Sequence, residues 1–121
     1  MDVNAREDIT EWAISASYYA KYFAVYALLS KLGIRSEIHD CTITLFEYLY
    51  QETIPPETRT QLRNSKQDRI ESQYYTKQIN TDTSQLTKNT KDFVNEIEKT
   101  LDNLNREKTQ QLADKIKTLT K

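Results

Sequence analysis

Residues that break helices are scarce in this chain: one glycine, Gly33, and one proline pair, Pro55-Pro56, in 121 residues. So few turn formers argue against a hairpin-rich β fold and favour helices. Cysteine is limited to Cys41, which excludes an internal disulfide and a cysteine-built zinc cage; Cys41 also lacks a local activating arrangement and reads as structural. With His39 as the only histidine, no paired-histidine metal site can form. Glycine-rich phosphate loops and serine-hydrolase elbows are missing too, so no metal and no cofactor is expected. No basic leader is expected, because Asp2, Glu7, Asp8 and Glu11 occupy its place. Residues 12–30 approach the length of a membrane span, but their tyrosines, serines and Lys21 speak against one. A soluble, cytoplasmic protein is the expectation.

What is present organises around residues 9–33. Ile9, Ala13, Ala16, Ala20, Phe23 and Ala27 make one helical stripe, and Tyr18, Tyr22, Val25, Tyr26 and Leu29 a second. A helix apolar on two faces is normally buried between neighbours, so this one is expected to be central. The charge of −1 divides unevenly: residues 1–60 carry five basic and nine acidic side chains, residues 61–121 twelve and nine. That asymmetry suits association of acidic and basic faces or mild attraction of phosphate, and falls short of a strongly basic nucleic-acid binder.

Taken in order, Thr10 or Asp8 is a candidate cap for the first helix, and Gly33 its C-terminal stop. A second helix is expected from His39 or Asp40 to about Glu52, with Ile43, Leu45, Phe46, Leu49 and Tyr50 inward. Pro55-Pro56 ends it and starts a third helix running to about Gln78, with sparse apolar residues at Leu62, Ile70, Tyr74 and Tyr75. A break follows at residues 80–84. Beyond it Leu86, Phe93, Ile97, Leu101, Leu104, Leu112, Ile116 and Leu119 form one drifting stripe. Unbroken, this helix would run to roughly 50–60 Å, so it either turns near residues 103–105 or projects towards another subunit; a marginal, frayed tail beyond Arg106 is the third course.

Ser17-Tyr18-Tyr19-Ala20, then Ala27-Leu28-Leu29, Gly33, His39, Ile43 and Phe46 resemble the small HEPN-domain proteins of the prokaryotic branch with the pattern YYA…ALL…G…H…F. Arg69 with Tyr74, and Phe93-Val94 with Glu96-Ile97-Glu98, extend the likeness to about residues 9–104. The resemblance implies an all-α, HEPN-like up-and-down bundle of four to five helices with a long C-terminal helix. Residues 1–121 would form a single domain, with a core at about 9–104 and a helical extension at 105–121. It further implies a homodimer and, in many relatives, a minimal nucleotidyltransferase partner in toxin–antitoxin or defence loci. Some HEPN proteins are metal-independent ribonucleases with an Arg-x(4–6)-His motif at a dimer cleft. Here Arg35 and His39 are separated by only three residues and lie before the second helix. Gln73, Tyr74 and Tyr75 follow Arg69 where histidine would be expected. Ser17 replaces the usual arginine before YYA, and few residues precede that helix where the family has a whole one.

Three functions therefore stand: association with a nucleotidyltransferase-type partner or RNA, ribonuclease action, or a purely structural oligomerisation module. Candidates for catalysis are His39, Arg35, Arg69 and Tyr74. Arg35 and His39 at a helix N-terminus would suit a phosphate, against a histidine that simply packs at its helix end. Arg59, Arg63, Lys66 and Arg69 share one face and would suit an RNA backbone or nucleotide, against a solvated charged face. Tyr18, Tyr19, Tyr22 and Tyr26 would suit base stacking, against ordinary core packing.

Overall fold

A computed structural model describes residues 3–74 and 83–119, with side chains described for 11–71 and 84–117. Among these residues the chain forms α1 (Val3–Lys31), α2 (His39–Leu49), α3 (Pro56–Tyr74), α4 (Thr83–Asp102) and α5 (Arg106–Leu119), with no strand. The fold is all-α, as expected. The central role of α1 is also observed: it packs against α4 and α3 most extensively, and against α2.

Local chemistry explains the boundaries. The backbone is already helical at Asp8 and Thr10, so neither residue caps α1; the polar start adds turns to the helix. At the other end Gly33 has φ +83°. Its N–H donates to Ser30 O at 3.0 Å and that of Ile34 to Leu29 O at 3.0 Å. This is the Schellman arrangement, which satisfies two terminal carbonyls and needs a residue that tolerates the left-handed region. The second helix ends at Leu49, short of the expected Glu52, in turns closed by Ile54 N–H to Tyr50 O at 3.0 Å. Pro55 and Pro56 then open α3, where the N–H groups of Thr58 and Arg59 both donate to Pro55 O.

Of the courses open at residues 103–105, the chain takes the turn. Asn105 Oδ1 accepts from Lys108 N–H at 2.7 Å, capping α5 so that it folds back onto α2. There Lys115 donates to Tyr48 O at 3.0 Å and sits 4.5 Å above the Tyr48 ring. The expected break at 80–84 and Gln78, and the side chains of Tyr74, Tyr75, Ile79 and Leu119, lie wholly or largely outside the described residues.

The core gathers Tyr18, Tyr22, Val25, Leu28 and Leu29 of α1, Ile43, Phe46, Leu49 and Tyr50 around α2, Ile54, Leu62 of α3, and Phe93 and Ile97 of α4. The second α1 stripe is thus buried wholly or in part. The alanine stripe is not: Ala16, Ala20, Phe23 and Ala27 are exposed and Ala13 partly so, because α2, α3 and α4 all pack on other sides of the helix. Ile9 of that stripe lies outside the described side chains.

Two buried polar contacts and one part-buried tie α1 to its neighbours. Thr90 donates to Leu86 O, which leaves its oxygen to accept from Ser17 at 2.6 Å. Lys21 Nζ donates to Ser65 Oγ at 2.7 Å, and Tyr22 meets Thr42 at 3.4 Å. Lys21, read from the sequence as the charge that interrupts an apolar run, is only 4% exposed. Burial lowers its pKa from the ordinary lysine value, opposed by the Asp68 carboxylate.

Candidate functional site

The first turn of α2 lies against the middle of α1, and this places His39 among tyrosines. Its ring stacks on Tyr22 at 4.0 Å between centroids and 13° between planes. Tyr18 and Tyr19 stand 6.0 and 6.4 Å away, the latter edge-on. His39 Nδ1 lies 2.7 Å from the Tyr18 hydroxyl. Burial raises the Tyr18 pKa to about 12, so the phenol keeps its proton. Burial, then Lys66 and Arg69, lowers that of His39, so the imidazole is neutral near pH 7. With the phenol protonated and the ring neutral, Tyr18 can donate to Nδ1, an arrangement that puts the imidazole proton on Nε2. In this tautomer His39 offers its outer nitrogen as a donor.

From α3, Arg69 brings its guanidinium 5.1 Å from the centre of the Tyr19 ring and 5.6 Å from that of Tyr18, distances at which a cation is held by the ring faces. His39 and Arg69, remote in sequence, therefore converge on the same two tyrosines. Lys66, one turn earlier on α3, pairs with Asp40 beside His39. The N-terminus of α2 has Ile38 at its cap position, with no side-chain capping bond. Together these groups make a patch of donors and positive charge over an aromatic floor.

The other sequence candidates are placed differently. Arg35 is exposed in the loop before α2, and no hydrogen bond or ion pair joins it to His39 among the described residues. Arg59 donates from Nε to Ile54 O at 2.9 Å and from Nη1 to Glu47 O at 3.3 Å, bracing the α2–α3 turn. Arg63 pairs with Glu47 at 2.7 Å and donates to Thr44 at 3.1 Å. The basic stripe is thus neither fully solvated nor an open phosphate track: Asp40, Thr44 and Glu47 meet Lys66 and Arg63 across two antiparallel helices. The helix of Tyr74 is described, but its side chain is outside the described ones. Cys41 is exposed.

Sequence reasoning missed the α2 half of this zipper, although Asp40, Thr44 and Glu47 recur at helical spacing. The Pro55-Pro56 turn already sets α2 and α3 antiparallel, which would have paired them. Among the described residues no cluster of His, Cys, Asp and Glu is arranged to hold a metal, and no helix is long and apolar enough to cross a membrane.

A family model described as the HEPN domain matches residues 1–104. The chain belongs to the HEPN family. No curated protein and no solved structure matches it. The HEPN match ends just before α5, so the His39–Arg69 cluster lies wholly within the matched portion, and α5 docks on α2.

Proposed function

We propose that this HEPN protein works by association, as a homodimer whose His39–Arg69–Tyr19 patch receives phosphate groups of RNA. The observation that carries this is the Tyr18–His39 hydrogen bond. It leaves Nε2–H pointing away from Tyr18 as a donor, beside the Arg69 cation and the uncapped N–H groups of α2. Donors and a fixed charge suit a phosphate oxyanion. Neutral His39 with its Nε2 protonated is not a base, and Tyr18 is held protonated by burial; binding therefore fits the cluster better than proton abstraction does. In a toxin–antitoxin or defence setting, a nucleotidyltransferase-type protein would be the second associate.

Fluorescence anisotropy with a labelled single-stranded RNA at low salt tests the binding. We expect saturable binding that Arg69→Ala weakens and that falls steeply as salt rises. RNA that stays free at low salt would overturn it.

The ribonuclease alternative is favoured by one fact, the convergence of Arg69 and His39 on one tyrosine pair. Cleavage would need a base for the 2′-hydroxyl and charge stabilisation at the phosphorane, and the Arg69 cation suits the second of these. Metal-free RNA cleavage abolished by His39→Ala would establish it over simple binding.

A further inference from the structure

Between Glu11 and Lys31 the residues that face solvent are Trp12, Ala16, Ala20, Phe23 and Ala27, every one of them apolar. Trp12 is 73% and Phe23 60% exposed. Steps of four, four, three and four place them on one side of α1 over roughly four turns. A helix face that meets water normally carries charge, and this one carries none. Neither α4 nor α5 covers it, although both pack elsewhere on the bundle.

We propose that this face is the contact with a second copy of the chain, with the two α1 helices antiparallel and a two-fold axis between Tyr19 and Ala20. The proposal rests on the homodimer put forward above and names its surface. Shape selects the occupant. In that register Trp12 lies opposite Ala27 of the second copy, Phe23 opposite Ala16, and Ala20 opposite Tyr19. Each large ring meets a methyl group, so the helices can close evenly along the whole stripe. Parallel pairing would instead set Trp12 on Trp12 and Phe23 on Phe23, holding the helices apart over the alanines between.

Area gives the same answer. At 150–250 Å² for a whole aromatic side chain, the exposed parts of Trp12 and Phe23 supply about 300 Å² per copy. With the alanines and the edge of Tyr19, the pair buries on the order of 1,000 Å² in total, the lower limit for a specific interface. A reversible, concentration-dependent dimer follows.

The face also runs into the candidate site. Phe23 stacks on Tyr19 at 6.1 Å and meets Tyr22 edge-on at 5.7 Å; Tyr22 carries His39, and Tyr19 lies under Arg69. A second copy seated on Phe23 and Tyr19 brings the two clusters to either side of one axis.

The test is sedimentation equilibrium over a wide concentration range, on the unaltered chain and on Phe23→Glu, with circular dichroism to verify folding. A dimer is expected, weakened roughly thirtyfold by the central charge. In a Cys41→Ser background, mild oxidation should cross-link Ala20→Cys to its own copy and leave Ala27→Cys monomeric, because antiparallel packing carries the two copies of residue 27 far apart. A dimer indifferent to Phe23→Glu would overturn this surface and leave the homodimer itself standing. Cross-linking through Ala27→Cys would overturn the antiparallel register. A chain monomeric at every concentration would defeat both the surface and the homodimer, whatever the RNA measurement showed.

Discussion

Tyr18 and His39 hold one another in place through a single bond, and each is shifted by the company it keeps. The phenol stays protonated beside Nδ1, while burial, then the Lys66 and Arg69 charges, hold the His39 pKa down. Lys66→Ala removes one of those charges, and the pKa of His39 should rise towards the ordinary value of about 6.5. Because His39 is the only histidine, one imidazole resonance followed by NMR titration reads the change directly. A folded-state pKa below the unfolded one means that the unfolded chain takes up the proton first as acidity increases. Stability should therefore be unaffected by this group above about pH 6.5 and decline as the pH falls towards the folded-state pKa, a loss missing in His39→Gln. Urea midpoints at several pH values measure it. Lys21 is the opposite kind of residue, a buried amine answered by one hydroxyl. Replacing the pair with Lys21→Met and Ser65→Ala should hold or raise stability by about 1 kcal/mol, since the desolvation cost of the charge goes with it. The sequence displayed His39 at a helix start but not its partners, since its ring contacts depend on how α1 crosses α2. It displayed Lys21 as a lone charge, and only packing decided that the charge is inside.

At the scale of elements, termini and turns carry most of the specification. Gly33 has nothing within 4 Å of where a Cβ would stand, so Gly33→Ala meets no clash and registers the left-handed backbone alone. A loss of about 1 kcal/mol is expected, less for Gly33→Asn, measured by thermal unfolding. Asn105→Ala removes the cap of α5 and should cost about 1 kcal/mol, seen as early fraying of α5 in hydrogen exchange. The glycine was legible as a stop after a long apolar helix, and residues 103–105 as a place where an over-long helix could turn. The choice between a turned and a projecting helix was not legible, because Lys115 finds its partner, Tyr48, on α2, across half of the chain. The same holds for Arg59 and Arg63. Their spacing was visible, but their commitment to the α2 carbonyl, carboxylate and hydroxyl groups emerges only when two helices are laid side by side.

At the scale of the molecule, α1 serves every neighbour at once: α2, α3 and α4 are all arranged around it. Its two apolar stripes were plain in the sequence, and so was the shortage of segments to cover both. Which stripe would stay outside depended on bulk. The tyrosines, with Val25 and Leu29, fill a core that the alanines could not. The outcome is a folded chain with a dry-looking outer face next to a polar, cationic patch, and this pairing of surfaces is what makes association the best account of the protein.

Trp12 is the only tryptophan in the chain, and it stands on that outer face, open to water, far from the packed interior. Its indole emission is consequently a built-in gauge of encounters between molecules rather than of the integrity of any one of them. On dilution the emission should move to longer wavelength while the far-ultraviolet spectrum holds still. Unfolding a dilute sample should leave the emission maximum almost where it was.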